Sequence, residues 1–235
     1  MRPLDAADML LLWERGVKRH ALDRSALLAA RARPELPADT IADLPLGEVT
    51  ASVLRLRTAS FGPRISAHVD CEQCRQRLEL TLTAPELLQT MAAPAEPVDV
   101  AGRRVRPVCL RDLAAVVHER DGERAARALL ARCILDGPAD DAAAWSGAVL
   151  SEIEHALEAA DPNADLAFDV HCEACGHRGT AQLDVAELLW DEIDARARVL
   201  LGEVHVLASA YGWTEREILA LTPARRAVYL SMAGA

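Results

Sequence analysis

Residues 68–88 read HVDCEQCRQRLELTLTAPELL, and residues 169–189 read DVHCEACGHRGTAQLDVAELL. The second stretch overlays the first without a gap. Val69 meets Val170, Cys71 meets Cys172, Glu72 meets Glu173 and Cys74 meets Cys175; Glu86-Leu87-Leu88 meets Glu187-Leu188-Leu189. One unit recurring once across a long insertion is an internal repeat, not a tandem array. Each copy predicts strand, Cys-x-x-Cys turn, strand, helix. Ile65, Ala67 and Val69 alternate before the first turn, and Leu78, Leu80 and Leu82 after it. Leu166, Phe168 and Val170, then Ala181 and Leu183, do the same in the second copy. A period of two marks half-buried strands. Thr83 with Glu86, and Asp184 with Glu187, have the spacing of a capped helix start, and Pro85 suits a first turn.

Two residues between cysteines let both thiolates of one turn reach one tetrahedral ion. Two such turns complete the shell, so the expected cofactor is one structural Zn2+ per chain, held by Cys71, Cys74, Cys172 and Cys175. A closed shell has no position for water, so the metal holds the fold and does not catalyse. A redox dithiol is the other reading of Cys-x-x-Cys. It calls for a pair at a helix N-terminus after a strand, whereas here a strand follows the turn. Gly176 suits a left-handed residue after Cys175; its counterpart Arg75 departs from that pattern. His68, His171 and His177 lie close to the cysteines and read as spare metal ligands or, with four thiolates available, as surface groups or supports around the metal. Cys109 and Cys133, beside Val108, Leu110, Ile134 and Leu135, read as small buried hydrophobes.

The chain has 235 residues, 36 acidic against 26 basic, and a net charge of −10. It is long enough to bury a substantial core. Aromatics are only 3%, so that core is expected to consist of Leu, Ala and Val. The acidic balance argues against non-specific nucleic-acid binding, which needs a basic face. No apolar run reaches the roughly 20 residues of a membrane span. The apolar stretch at 9–13 is short and follows Asp5 and Asp8, unlike a secretory signal. The expected location is therefore cytoplasmic, where six cysteines are reduced or metal-bound. Phosphate-binding glycine loops, the nucleophile elbow and His-Glu-x-x-His do not occur. The lone His-x-Glu, His171 to Glu173, is interleaved with the second turn, not upstream of it as a zinc deaminase requires. A non-enzyme is expected.

The expected fold class is α+β, mainly helical. Two Cys-x-x-Cys zinc-knuckle β-hairpins form one zinc-ribbon-like site, with helical N- and C-terminal segments. The segments are an N-terminal helical part (1–62), the first knuckle hairpin and helix (63–93), an inserted hairpin and helices (94–163), the second knuckle hairpin and helix (164–190) and a C-terminal helical part (191–235). Asp5 and Asp23 are expected helix caps, and 33–46, with three prolines, reads as a surface loop before a helix at 47–60. Residues 94–97 read as a linker and 98–110 as a hairpin turning at Ala101-Gly102. Helices follow at 111–118, at 123–135 up to a break at Gly137-Pro138, and at 142–160. From 185 to 211, Leu189, Ile193, Leu200, Val204, Leu207 and Tyr211 share one helical face, and Gly212 stops it. Thr214 and Glu217 form a capping box with Trp213 stapled to Ile218, and Thr222-Pro223 opens the last helix.

The C-terminal stretch carries a family resemblance. Leu200-Leu201-Gly202-Glu203-Val204-His205, Leu207-Ala208, Ala210-Tyr211-Gly212-Trp213, Glu217-Ile218-Leu219 and Arg225-Arg226-Ala-Val-Tyr229-Leu230 resemble the T4-type baseplate hub assembly chaperone family. Leu12-Trp13-Glu14-Arg15-Gly16 with Asp23-Arg24, and Leu44-Pro45-Leu46-Gly47 with Leu56-Arg57, Ala59 and Phe61-Gly62, agree with it. So do the knuckles; the similarity touches most of the chain and is densest over 166–230. It implies a non-enzymatic role, helping to assemble, or becoming part of, the hub and baseplate of a contractile tail. Partners would be baseplate or hub proteins, met in the cytoplasm or in an assembled phage-like particle. Tyr211 and Trp213 are candidate partner contacts, because aromatics are scarce here and favoured as interface anchors. The other reading is that both rings pack the helix turn. Arg225 and Arg226 either grip a carboxylate or phosphate, or form a solvated helix face. The competing class is a zinc-ribbon adaptor in transcription or RNA processing, which predicts a basic groove around Arg64, Arg75, Arg77 and Arg178.

Overall fold

A computed structural model describes residues 1–93, 95–136 and 145–234. Helix α1 (Ala6–Gly16) begins where Asp5 accepts the backbone N–H of Asp8. Helix α2 (Ala21–Ala32) begins earlier than expected. His20 Nδ1 accepts from the Leu22 N–H at 3.2 Å, and Asp23 lies inside the first turn. The proline-rich segment is not all loop: it holds α3 (Ala38–Ala42), which sinks Ile41 into the core at 1% exposure. Pro37 and Pro45 stand just before α3 and α4 (Leu46–Phe61), where the missing N–H costs no helical hydrogen bond.

The first repeat unit is β1 (Arg64–Asp70), β2 (Arg77–Thr83) and α5 (Ala84–Thr90). Thr83 makes no side-chain cap bond. The capping expected between Thr83 and Glu86 is therefore not made, and the Ala84 N–H donates to Pro63 O at 2.8 Å. The inserted hairpin is β3 (Val98–Val100) and β4 (Arg103–Val105), with Ala101 and Gly102 both left-handed (φ 51° and 70°) as a two-residue turn requires. Helices α6 (Leu110–Val116), α7 (Gly122–Cys133) and α8 (Gly147–Ala160) follow. Ser146 caps α8. The expected break at Gly137-Pro138, the start of the helix at 142 and Pro94 of the linker lie outside the described residues. The second repeat unit is β5 (Leu166–His171), β6 (Arg178–Leu183) and the start of α9 (Val185–Tyr211); α10 (Glu215–Ala220) and α11 (Pro223–Ala233) complete the chain. Each hairpin is its own two-stranded antiparallel sheet, and among the described residues no ladder joins it to another. The fold is α+β and mainly helical, as the sequence predicts. Among the described residues no helix is long and apolar enough to cross a membrane.

The main core gathers α1 to α4 around α9, with Leu28, Val53, Leu54, Leu56, Leu189, Ile193 and Leu200 fully buried. Polar joints fix α9 among them. Trp13 Nε1 donates to Asp194 at 2.7 Å. The Trp190 ring lies where a Cβ on Gly16 would sit, with the Arg24 guanidinium 4.6 Å above it. Buried Arg57 donates to both carboxylate oxygens of Glu192, at 2.6 and 3.0 Å, and to Gly62 O. The return from the insertion is clasped to this body: Asp161 accepts the Gly47 N–H at 2.9 Å, and Asn163 exchanges two hydrogen bonds with the Ala92 backbone.

The insertion has its own core of Val105, Leu130, Cys133, Trp145, Leu150, Ile153 and Leu157. Beneath it lies Asp112, fully buried. It accepts from Arg106 at 2.6 and 2.9 Å, from Arg132 at 3.1 Å and from the Cys109 backbone and thiol. Cys109 and Cys133 are buried as expected, yet beside a carboxylate as well as apolar groups. Burial, together with the nearby Asp112 charge, pushes the Cys133 thiol up to about 12. Burial also works to raise the Asp112 carboxyl, but the Arg106 and Cys109 hydrogen bonds outweigh it and hold the carboxyl at about 2.

Two outcomes follow from these contacts. A Cβ at position 47 would collide with Asp161 Oδ1 and lie 2.8 Å from Asn163 Cβ; Gly47→Ala should cost about 1–3 kcal/mol, read as a lowered thermal midpoint. Asp112→Asn should cost about 3 kcal/mol at pH 7, because it strands two arginines. The depressed carboxyl contributes fully above the ordinary aspartate value of about 3.9 and loses its contribution as pH falls towards 2. Urea midpoints at pH 7 and pH 2.5 should therefore differ less in the variant than in the parent.

Candidate metal centre

The turns between β1 and β2, and between β5 and β6, are built alike. Cys71 N–H donates to Gln76 O and Arg75 N–H to Cys71 O, both at 2.9 Å. Cys172 N–H donates to His177 O at 2.9 Å and Gly176 N–H to Cys172 O at 2.8 Å. The last residue of each tight turn is left-handed: φ is 60° at Arg75 and 73° at Gly176. The sequence departure at Arg75 therefore changes the residue but not the backbone. Arginine adopts there a conformation that costs a side-chain-bearing residue about 1–2 kcal/mol.

The two turns face each other. All four sulfurs, of Cys71, Cys74, Cys172 and Cys175, lie within 4.8 Å of one another. Across the hairpins, Cys71 Sγ is 3.7 Å from Cys175 Sγ and Cys74 Sγ is 3.6 Å from Cys172 Sγ. A tetrahedral ion with metal–sulfur bonds of about 2.3 Å has sulfur–sulfur edges of about 3.8 Å. The cluster is thus of the size that can hold one metal ion. In each turn the first cysteine is buried and the second exposed.

The thiols of the cluster differ in how readily they ionise. Backbone N–H groups of Cys74 and Gln73 point at Cys71 and hold its thiol at about 6. Cys175 also accepts a backbone N–H, from His177. Desolvation and the surrounding sulfurs outweigh that bond and push its thiol up to about 12. Crowded thiols resist joint ionisation; a bound cation removes the resistance. His177 reaches across to Glu72 of the other turn at 4.0 Å, an interaction between turns that no local spacing announces.

The candidate partner residues sit far along α9. The Tyr211 and Trp213 rings stack with centroids 4.7 Å apart, and Tyr229 meets both edge-on at 5.8 and 4.9 Å. The Tyr211 hydroxyl donates to Tyr229 O at 3.3 Å. The rings therefore do pack the turn, while Tyr211 stays 37% exposed. The Thr214–Glu217 capping box forms as predicted. The two arginines part company. Arg225 is exposed. Arg226 is 2% exposed and donates to Glu203 at 2.8 Å and to Leu221 O at 2.7 Å. This corrects both sequence readings of Arg226: its cation is neither solvated nor free to grip a ligand. Tyr229 completes the ring cluster, and only its aromatic scarcity could have singled it out. No protein-family model matches the chain, nor does any curated protein or solved structure.

The two turns offer a matched test. Arg75→Gly should stabilise the protein by about 0.5–1 kcal/mol, because glycine accepts the left-handed backbone. Gly176→Arg should destabilise it by about 1 kcal/mol; nothing lies within 4 Å of a Cβ there, so the cost is conformational alone. Thermal midpoints of both variants, measured with metal present, check the pair.

Proposed function

We propose that this chain is a non-enzymatic assembly factor or structural component of the baseplate hub of a contractile phage-like tail or injection system, held together by one structural zinc ion. One observation carries the reading. The separate stretches that resemble the T4-type hub assembly chaperone family meet along α9. Trp13 and Arg24 reach Asp194 and Trp190, Arg57 reaches Glu192, and Arg226 reaches Glu203. Residues far apart in sequence thus act as the joints of one body, which is what a shared fold would select. Zinc is the proposed ion because a closed set of four thiolates in two knuckles suits its tetrahedral, redox-silent shell.

The partner surface we assign comprises Tyr211, Trp213 and Arg225, with Arg226 supporting it from beneath. The zinc-ribbon adaptor in transcription or RNA processing has weaker support. Arg64, Arg75, Arg77 and Arg178 are interleaved with Asp70, Glu72, Glu79, Asp169 and Glu173. Asp70 lies opposite Arg77 and His68 opposite Glu79 in the ladder. Alternating signs make a poor track for phosphates.

Metal analysis of the purified protein should return about one zinc per chain, and its absence refutes the metal assignment. A Tyr211→Ala/Trp213→Ala double variant should keep its fold by circular dichroism and lose co-purification with the hub proteins of a contractile tail. A variant that unfolds removes the surface assignment, and salt-dependent binding to DNA or RNA favours the adaptor.

A further inference from the structure

The sulfur cluster is asymmetric in a way that a purely structural ion does not require. Cys71 and Cys172 are 4% and 1% exposed, whereas Cys74 and Cys175 are open to solvent. Two sulfur contacts run between the hairpins and not within a Cys-x-x-Cys turn. Each exposed sulfur leans on the buried sulfur of the opposite hairpin, Cys175 on Cys71 at 3.7 Å and Cys74 on Cys172 at 3.6 Å. An oxidant therefore reaches one member of each pair, and a buried thiol of the other hairpin stands in contact with it to resolve the product.

We infer that the centre is a peroxide-responsive switch that exchanges its metal ion for two cross-hairpin disulfides, Cys71–Cys175 and Cys74–Cys172. This rests on the reading that the four thiolates hold one metal ion. In each pair the exposed sulfur, a thiolate while the metal is bound, attacks the O–O bond of hydrogen peroxide. The sulfur takes up OH as a sulfenic acid, and the departing hydroxide is protonated to water. The buried thiolate then attacks that sulfur, forming the S–S bond and displacing a second hydroxide, also protonated to water. Each pair thus gives two electrons to one peroxide: two thiolates, one H2O2 and two protons yield one disulfide and two waters. Both pairs together free the divalent ion, because a disulfide is no longer a thiolate ligand. The oxidised centre still ties β1–β2 to β5–β6. The bridge therefore changes chemistry without parting the hairpins.

Purified full-length protein treated with hydrogen peroxide beside a colorimetric zinc chelator decides the matter. Expected is release of the bound zinc in step with the loss of four titratable thiols. Cys109 and Cys133, both buried, stay reduced. Trypsin should then yield peptide 65–75 joined to the peptide ending at Arg178, with fragmentation giving the two pairings named. The oxidised, metal-free form should also melt above the reduced, metal-free form. A dithiol with added zinc should restore the starting state. Bonds within a turn, Cys71–Cys74 or Cys172–Cys175, any other pairing, or over-oxidation without disulfides would overturn the switch. Metal analysis before oxidation separates the two readings. Protein that never held metal takes down the metal assignment and the switch with it; protein that keeps its zinc under peroxide refutes the switch alone.

Discussion

Four sulfurs within 4.8 Å of one another impose a constraint that backbone N–H groups relieve at Cys71 and not at Cys175. Two like charges about 4 Å apart repel by roughly 4 kcal/mol at a protein-like dielectric. The cluster must therefore keep protons, lose them to a cation, or form covalent bonds. The rest of the fold makes this choice consequential. The first and third hairpins share no strand ladder; they meet through the sulfurs at their turns and through Ile65, Leu82, Leu166 and Leu183 packed on one core. Each hairpin runs into a helix of the main body, α5 or α9. The state of the cluster is thereby coupled to how the start of α9 is held.

Helix α9 carries that influence along the molecule. Its 27 residues span about 40 Å. Its buried face is Val, Leu, Ile and Ala, with Trp190 at one point. Aliphatic surfaces of this kind tolerate several packings of similar energy. Asp194 with Trp13, Glu192 with Arg57 and Glu203 with Arg226 each satisfy their partners in one arrangement. The polar joints set the register, and the apolar face supplies the burial.

What the sequence disclosed follows the range of the interactions concerned. The knuckle strands were legible because alternation is local, and the cysteines because two matched turns are rare by chance. Capping at Asp5, Asp184 and Thr214 was legible for the same reason, since each acts over three residues. Prolines hid α3, because Ile41 is buried by neighbours that no window around it contains. Arg57 and Arg226 look like surface residues in an arginine-rich chain. Their carboxylate partners lie 135 and 23 positions away, so their burial could not be read locally. Gly47 is needed only because Asp161 arrives 114 positions later. Even the cross-hairpin pairing of sulfurs is a tertiary fact: spacing identifies the four ligands and says nothing of which lie closest.

The separation of the two half-sites has a consequence in time. Cys74 and Cys172 stand 98 positions apart, and Cys71 and Cys175 stand 104 apart. At about 5–20 residues per second, a ribosome needs on the order of 5–20 s to make the second turn after the first. During that interval the first pair of thiols is exposed without its complement. Helices α1, α2 and α4 likewise await α9, which is made after them and shares their core. The insertion, whose core is assembled from neighbours in sequence, can condense meanwhile. In the finished fold the contacts of α1 with α9 join the oldest segment to one of the newest.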